Sequence, residues 1–157
     1  MANLIARRGL YFDEFVVGDV ATTQGRTVTE ADIVSFAALS GDWNTIHTNA
    51  TIAAEGMFGE RIAHGMLGLA IATGLAERLG ILSETVLAFM GLDWKFKAPI
   101  KIGDTIAARL AIAECREVRR LGGGVVNLNV EIVNQRAEVV QRGTWSVLIK
   151  ARPAEGG

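Results

Sequence analysis

Apolar positions in the first half of the chain recur at helical spacing. In the second half they alternate with polar ones. In "TEADIVSFAALS", Thr29 to Ser40, the residues Ile33, Phe36, Ala37 and Leu39 follow a 3.6-residue repeat. Thr27 or Thr29 can cap a helix beginning near Glu30, and Ser40-Gly41 ends it. A looser stretch with short helical turns runs on to Arg61. "IAHGMLGLAIATGLAERLG", Ile62 to Gly80, is apolar on nearly every face. A helix of that kind has to be covered on all sides, which predicts the central element of the molecule.

After Gly80 the period drops to two. "TVLAFMGLDWKFKAPI" predicts one strand and "DTIAARLAIAECREVRR" another, with Ile106, Ala108, Leu110 and Ile112 on one face. "GGGVVNLNVEIVNQ" follows a glycine turn and sets Val126, Leu128, Val130 and Ile132 against Asn127, Asn129 and Glu131. "AEVVQRGTWSVLIK" closes the set, with Trp145, Val147 and Ile149 on one face. Short glycine or polar turns join the last strands, so they form antiparallel hairpins. Gly18-Asp19 and Gly103-Asp104 read as turns leading into strands, and Pro99 and Pro153 lie outside the periodic segments. No Pro- or Ser-rich linker divides the chain. Residues 1–150 are expected as one domain and 151–157 as a frayed C-terminal tail. The fold class is α+β, a long antiparallel sheet wrapped around one apolar helix.

Composition adds mainly exclusions. The 157 residues suit a single domain with a sizeable core. The 16 basic and 17 acidic residues nearly cancel, which is not the footprint of a nucleic-acid binder. Arg7-Arg8 and Arg119-Arg120 read as isolated, solvated pairs. The single cysteine, Cys115, excludes an internal disulfide, makes a thiolate zinc site an unfavourable reading, and fits a reducing, cytoplasmic setting. It is expected as a small apolar residue in a strand. "MANLIARRGLYFDEF" shows no secretion-signal pattern. The most apolar stretch, Gly65 to Ala76, is shorter than the roughly 20 residues a membrane span needs. Half of the residues are hydrophobic, which fits a buried subunit interface.

The chemistry candidates cluster around the chain's two histidines. "SGDWNTIH" brings Asp42, Asn44 and His47 together. On a regular helix, residues five apart diverge by about 140°, so Asp42 and His47 converge only if Gly41–Thr45 turns before a new helical start. A carboxylate and an imidazole so placed can share one water as a general acid–base pair. From the spacing alone the simpler reading prevails, a capping Asp42 or Asn44 and a His47 with one ordinary hydrogen bond, because Asp-x4-His is a weak pattern. In "RIAHGMLG", Gly65 stands at the start of the apolar helix. Its backbone N–H can face a developing oxyanion, or its missing side chain can serve close packing.

The stretch "FAALSGDWNTIHTNATIAAEGMFGERIAHGMLG", Phe36 to Gly68, resembles the MaoC-like dehydratases and (R)-specific enoyl-CoA hydratases. Their hydratase 2 motif is Gly/Ser-x-Asp-x-Asn-Pro-x-His, followed by a small-residue stretch and an apolar-x-His-Gly. The flanks "YFDEFVVGDVATTQGRTVTEADI" and "MGLDWKFKAPIKIGDTI" extend the resemblance over nearly the whole chain. It implies a hot-dog fold for the domain. It implies that Asp42 and His47 are the catalytic pair, that Gly65 N–H receives the thioester oxygen, and that Asn44 holds the turn. Thr73 falls where some relatives carry a serine near the active site. Thr45 departs from the pattern, standing at the usual proline position, which puts turn rigidity in question.

The implied activity is reversible hydration of a 2-enoyl-CoA to an (R)-3-hydroxyacyl-CoA. An acyl-CoA thioesterase and a non-catalytic acyl-CoA-binding subunit are the alternatives. No metal or other cofactor is expected, the CoA thioester being the substrate. A homodimer or larger homo-oligomer is expected, with no nucleic-acid or membrane partner. Trp43 is placed as a packing residue or a wall of the site and His64 as a loop support through hydrogen bonds, and both, with Asn44 and Thr73, are candidate substrate-binding residues. Trp94 and Trp145 are placed in or on the sheet, and Met57-Phe58 in core, interface or acyl tunnel. Lys95, Lys97 and Lys101 are read as solvated surface in preference to contacts with CoA phosphates.

Overall fold

The computed structural model describes residues 9–154. The Arg7-Arg8 pair, the start of the N-terminal stretch read for a secretion signal, and tail residues 155–157 lie outside the described residues.

The strands β1 (Val20–Thr22), β2 (Arg26–Thr27), β3 (Val86–Phe96), β4 (Thr105–Val118), β5 (Gly123–Val133) and β6 (Val139–Lys150) form an antiparallel sheet. Its order is β1-β4-β5-β6-β3, with β2 also paired to β4. The alternation read in the sequence sets the faces of β4, β5 and β6. Ile106, Ala108, Leu110, Val126, Leu128, Val130, Ile132, Trp145, Val147 and Ile149 are all buried in one cluster. The helix α4 (Gly65–Glu77) packs into that cluster through Leu67, Leu69, Ala72 and Ala76. Among the described residues, no helix is long and apolar enough to cross a membrane.

Helix α1 (Glu30–Ser40) starts at Thr29, where Thr29 and Asp32 form a capping box. Thr27 lies in β2 instead. Gly41 ends the helix at a φ of 78°, in the left-handed region that a side chain disfavours. The looser segment contains α2 (Thr45–Thr48) and α3 (Ala50–Ala54).

Coverage differs from the expectation in two places. The sheet covers only one side of α4, and Met66, Ala70, Thr73 and Gly74 stay exposed. Three of these four are small, so that face leaves little apolar area in water. The second place is β3. Among the described residues it forms the sheet's edge and pairs only with β6, and Leu87, Phe89, Met90, Leu92 and Phe96 are exposed along it.

The tail also differs at its start. Arg152 meets Asp13 at 3.1 Å and Glu14 at 3.2 Å, with its guanidinium 5.2 Å from the centre of the Tyr11 ring. Cys115 is partly buried in β4, where burial pushes its thiol above the usual range. Arg119 and Arg120 are exposed in a short turn, as read.

Candidate active site

Three short elements build the site. After Gly41 the backbone N–H of Asp42 donates to Ser40 Oγ at 3.1 Å, and Asp42 Oδ1 accepts from Asn44 N–H at 3.2 Å. Asn44 caps α2, its Oδ1 accepting from Ile46 N–H. Capping is therefore the work of Asn44, and the Asp42 carboxylate shapes the turn before it. Thr45 occupies the first helical position, where a proline costs no intrahelical bond. Here Thr48 ties the turn from the other side. Its hydroxyl lies 3.0 Å from the carbonyl of Trp43 and 3.1 Å from that of Asn44.

The turn brings Asp42 and His47 together. One oxygen of Asp42 and one ring nitrogen each of His47 and His64 lie within 4.8 Å of one another. His47 is buried, with Nδ1 2.7 Å from the carbonyl oxygen of Ile62. A carbonyl only accepts, so Nδ1 carries the proton and Nε2 of the neutral ring holds the lone pair. His64 is buried and stacked on His47, ring centres 3.8 Å apart and planes inclined by 26°. Its Nε2 donates to the backbone carbonyl of Asp42 at 2.9 Å. His64 thus ties the Asp42 turn down through a hydrogen bond. Its Nδ1 is buried without a partner among the described residues.

The same three side chains offer metal-ligand atoms. Metal–imidazole bonds lie in the ring plane at about 2.0–2.1 Å. Two stacked rings so little inclined do not direct their in-plane lone pairs to one point. The arrangement suits proton transfer better than coordination.

His47 and Gly65 line one cavity of about 490 Å³, together with Phe58, Met66, Phe96 and Lys97. Gly65 opens α4, which has no side-chain cap among the described residues, so the first N–H groups of that helix remain for a ligand. Close packing is also real here: a Cβ on Gly65 would stand 2.6 Å from Phe96 Cε1. The two readings of this glycine are compatible.

The remaining candidates scatter. Thr73 lies further along α4, donates to the carbonyl of Ala70 at 2.7 Å, and lines a different cavity with Glu77 and Trp145. Trp43 is exposed, and it does not line the His47 cavity. Met57 is exposed while its neighbour Phe58 reaches the cavity. Trp94 is half-buried and Trp145 fully buried on the sheet. Lys95 is exposed, Lys97 stands at the cavity, and Lys101 is paired with Glu60 at 2.6 Å. The sequence reading missed a polar residue of this cavity. Gln141 is 2 % exposed and lines the His47 cavity. Its signal was the alternation itself, because Gln141 shares the inward parity of Trp145, Val147 and Ile149.

An antiparallel sheet around a helix, with that helix's uncapped start beside an Asp/His turn, defines a protein of the hot-dog class. A model of the MaoC like domain matches residues 14–134, and the chain belongs to the MaoC-like dehydratase family. The sequence is 38 % identical to an (R)-specific enoyl-CoA hydratase of Rhodospirillum rubrum over 103 residues, covering 65 % of this chain and 69 % of that one. It is 46 % identical to protein MaoC of Klebsiella aerogenes over 101 residues, covering 64 % of this chain but only 30 % of that longer protein. Among solved structures, a monoamine oxidase regulatory protein from Archaeoglobus superposes with a TM-score of 0.87 at 39 % identity, over 94 % of this chain and 99 % of that one. An unliganded R-hydratase of Pseudomonas aeruginosa gives 0.76 at 29 % identity, over 92 % and 88 %. A Mycobacterium tuberculosis protein with a double hot-dog fold gives 0.83 at 18 % identity, over 95 % and 46 %, a likeness of fold alone.

Proposed function

We propose that the protein is a hydro-lyase that adds water reversibly across the C2–C3 double bond of a 2-enoyl-CoA, giving an (R)-3-hydroxyacyl-CoA. The observation that carries this reading is the opening of His47 and the uncapped start of α4 into one cavity, with the Asp42 carboxylate close to His47. Hydratase and dehydratase names among the relatives support it. His47 Nε2, with Asp42, would take a proton from water as the oxygen bonds to C3. The electron pair of the double bond moves toward the thioester oxygen, where Gly65 N–H meets the developing charge. A proton returned to C2 completes the addition. The mechanism calls on no metal or redox group, and the CoA arrives as part of the substrate.

A panel of 2-enoyl-CoAs of varied length and branching tests the reading. Loss of the conjugated-thioester absorbance without thiol release is the expected result. Thiol release in its place would make the protein a thioesterase, and no conversion of any member would leave it an acyl-CoA-binding subunit. The exposed apolar edge β3 supports a homodimer or larger homo-oligomer built through that strand.

A further inference from the structure

Gln141 is the polar residue on the inward face of β6 that the chemistry above leaves unused. Burying a primary amide costs free energy unless each polar atom finds a partner, and an apolar residue fills a core position at less cost. Both atoms of this amide are matched. Oε1 accepts from the indole N–H of Trp94 at 2.9 Å, and Nε2 donates to the backbone carbonyl of Gly65 at 3.1 Å. The indole only donates and the carbonyl only accepts, so one orientation of the amide satisfies both. Gly68 makes the room, since a Cβ there would stand 2.5 Å from Nε2.

We propose that Gln141 is a positioning residue, holding the Gly65–Met66 peptide so that the Gly65 N–H, on the peptide before it, faces the thioester oxygen, and that Trp94 sets its amide. Glycine restrains its own backbone weakly, so Gly65 cannot by itself fix where its N–H points. The carbonyl of His64 is held by the N–H groups of Leu67 and Gly68. The carbonyl of Gly65 is held laterally by Gln141. These bonds brace the peptides on both sides of the glycine, and the lateral one ties it to the sheet.

The inference rests on the hydratase reading for its chemistry, but its geometry has a separate readout. Gln141→Met keeps length and removes both hydrogen bonds. Its turnover should fall about 10-fold with KM within about twofold, since a displaced donor acts on the transition state more than on binding. Gln141→Glu turns an acceptor toward the Gly65 carbonyl when ionised and a donor when protonated. Its activity relative to wild type should therefore rise as pH is lowered, which a purely structural loss would not produce. Trp94→Phe keeps an aromatic ring but loses the indole N–H, which releases the amide, and should give a smaller loss of turnover. It also serves if a Gln141 variant fails to fold. The amide resonance of Gly65 in glycine-labelled protein should shift or broaden in Gln141→Met and in Trp94→Phe. Wild-type turnover with an unmoved Gly65 resonance in folded Gln141→Met or Trp94→Phe overturns the proposal. A moved resonance in a protein that converts no enoyl-CoA supports the bracing and defeats the hydratase reading alone.

Discussion

Asp42 and His47 act, on this account, as one unit around one water. Asp42→Asn and His47→Gln keep shape and remove proton transfer, so each should lower turnover about 10²–10⁴-fold, with binding less affected. Their double variant should be far less impaired than the product of the two losses, because neither residue works without the other. Single-turnover hydration by the folded variants checks this, and near wild-type turnover in Asp42→Asn would remove Asp42 from the chemistry. Gly65→Val meets Phe96 and disturbs the N–H donor, and should cost about 10²-fold or more in turnover. The residue types and their spacing in the motif were legible in the sequence. The stacking of His64 under His47 was not, because it depends on Ile62 and Asp42 carbonyls that only the folded turn brings near.

At the scale of elements, α1 offers a separable test. The Thr29–Asp32 capping box satisfies two helix-end N–H groups, and Arg26 meets Asp32 at 2.6 Å. Thr29→Ala should cost about 1 kcal/mol in denaturant unfolding. Burial raises the carboxyl pKa of Asp32, but hydrogen bonds from Arg26 and Thr29, with the Arg26 charge, outweigh it and leave the pKa lowered. Its contribution is therefore present above the ordinary aspartate range and is lost as pH falls through the depressed value. Asp32→Asn should lower stability at neutral pH and flatten the acid limb of the stability curve. The start and stop of α1 were readable because its cap and its left-handed glycine are local signals. The strands β4, β5 and β6 were readable because one face is buried and the other is not. What covers β3 and α4 was hidden, since an apolar run is the same in sequence whether a neighbour covers it or not. Gln141 marks the opposite case, a polar residue at core parity whose partners Trp94 and Gly65 are distant in sequence.

At the scale of the whole molecule, the exposed apolar edge predicts self-association. Light scattering at micromolar concentration should show a dimer or larger assembly, and Leu92→Lys on β3 should shift it toward monomer. A stable wild-type monomer would contradict the interface.

The same strand carries a consequence for the order in which the chain is made. β3 leaves the ribosome before β4, β5 and its own partner β6, whose residues 139–150 must return to meet residues 86–96. At about 5–20 residues per second, an apolar strand waits for seconds with no sheet to join. Nascent chains halted before residue 139 should therefore be captured by chaperones or aggregate, and chains completed through Lys150 should be released. Arrested-translation complexes of the two lengths, probed by protease, would show it.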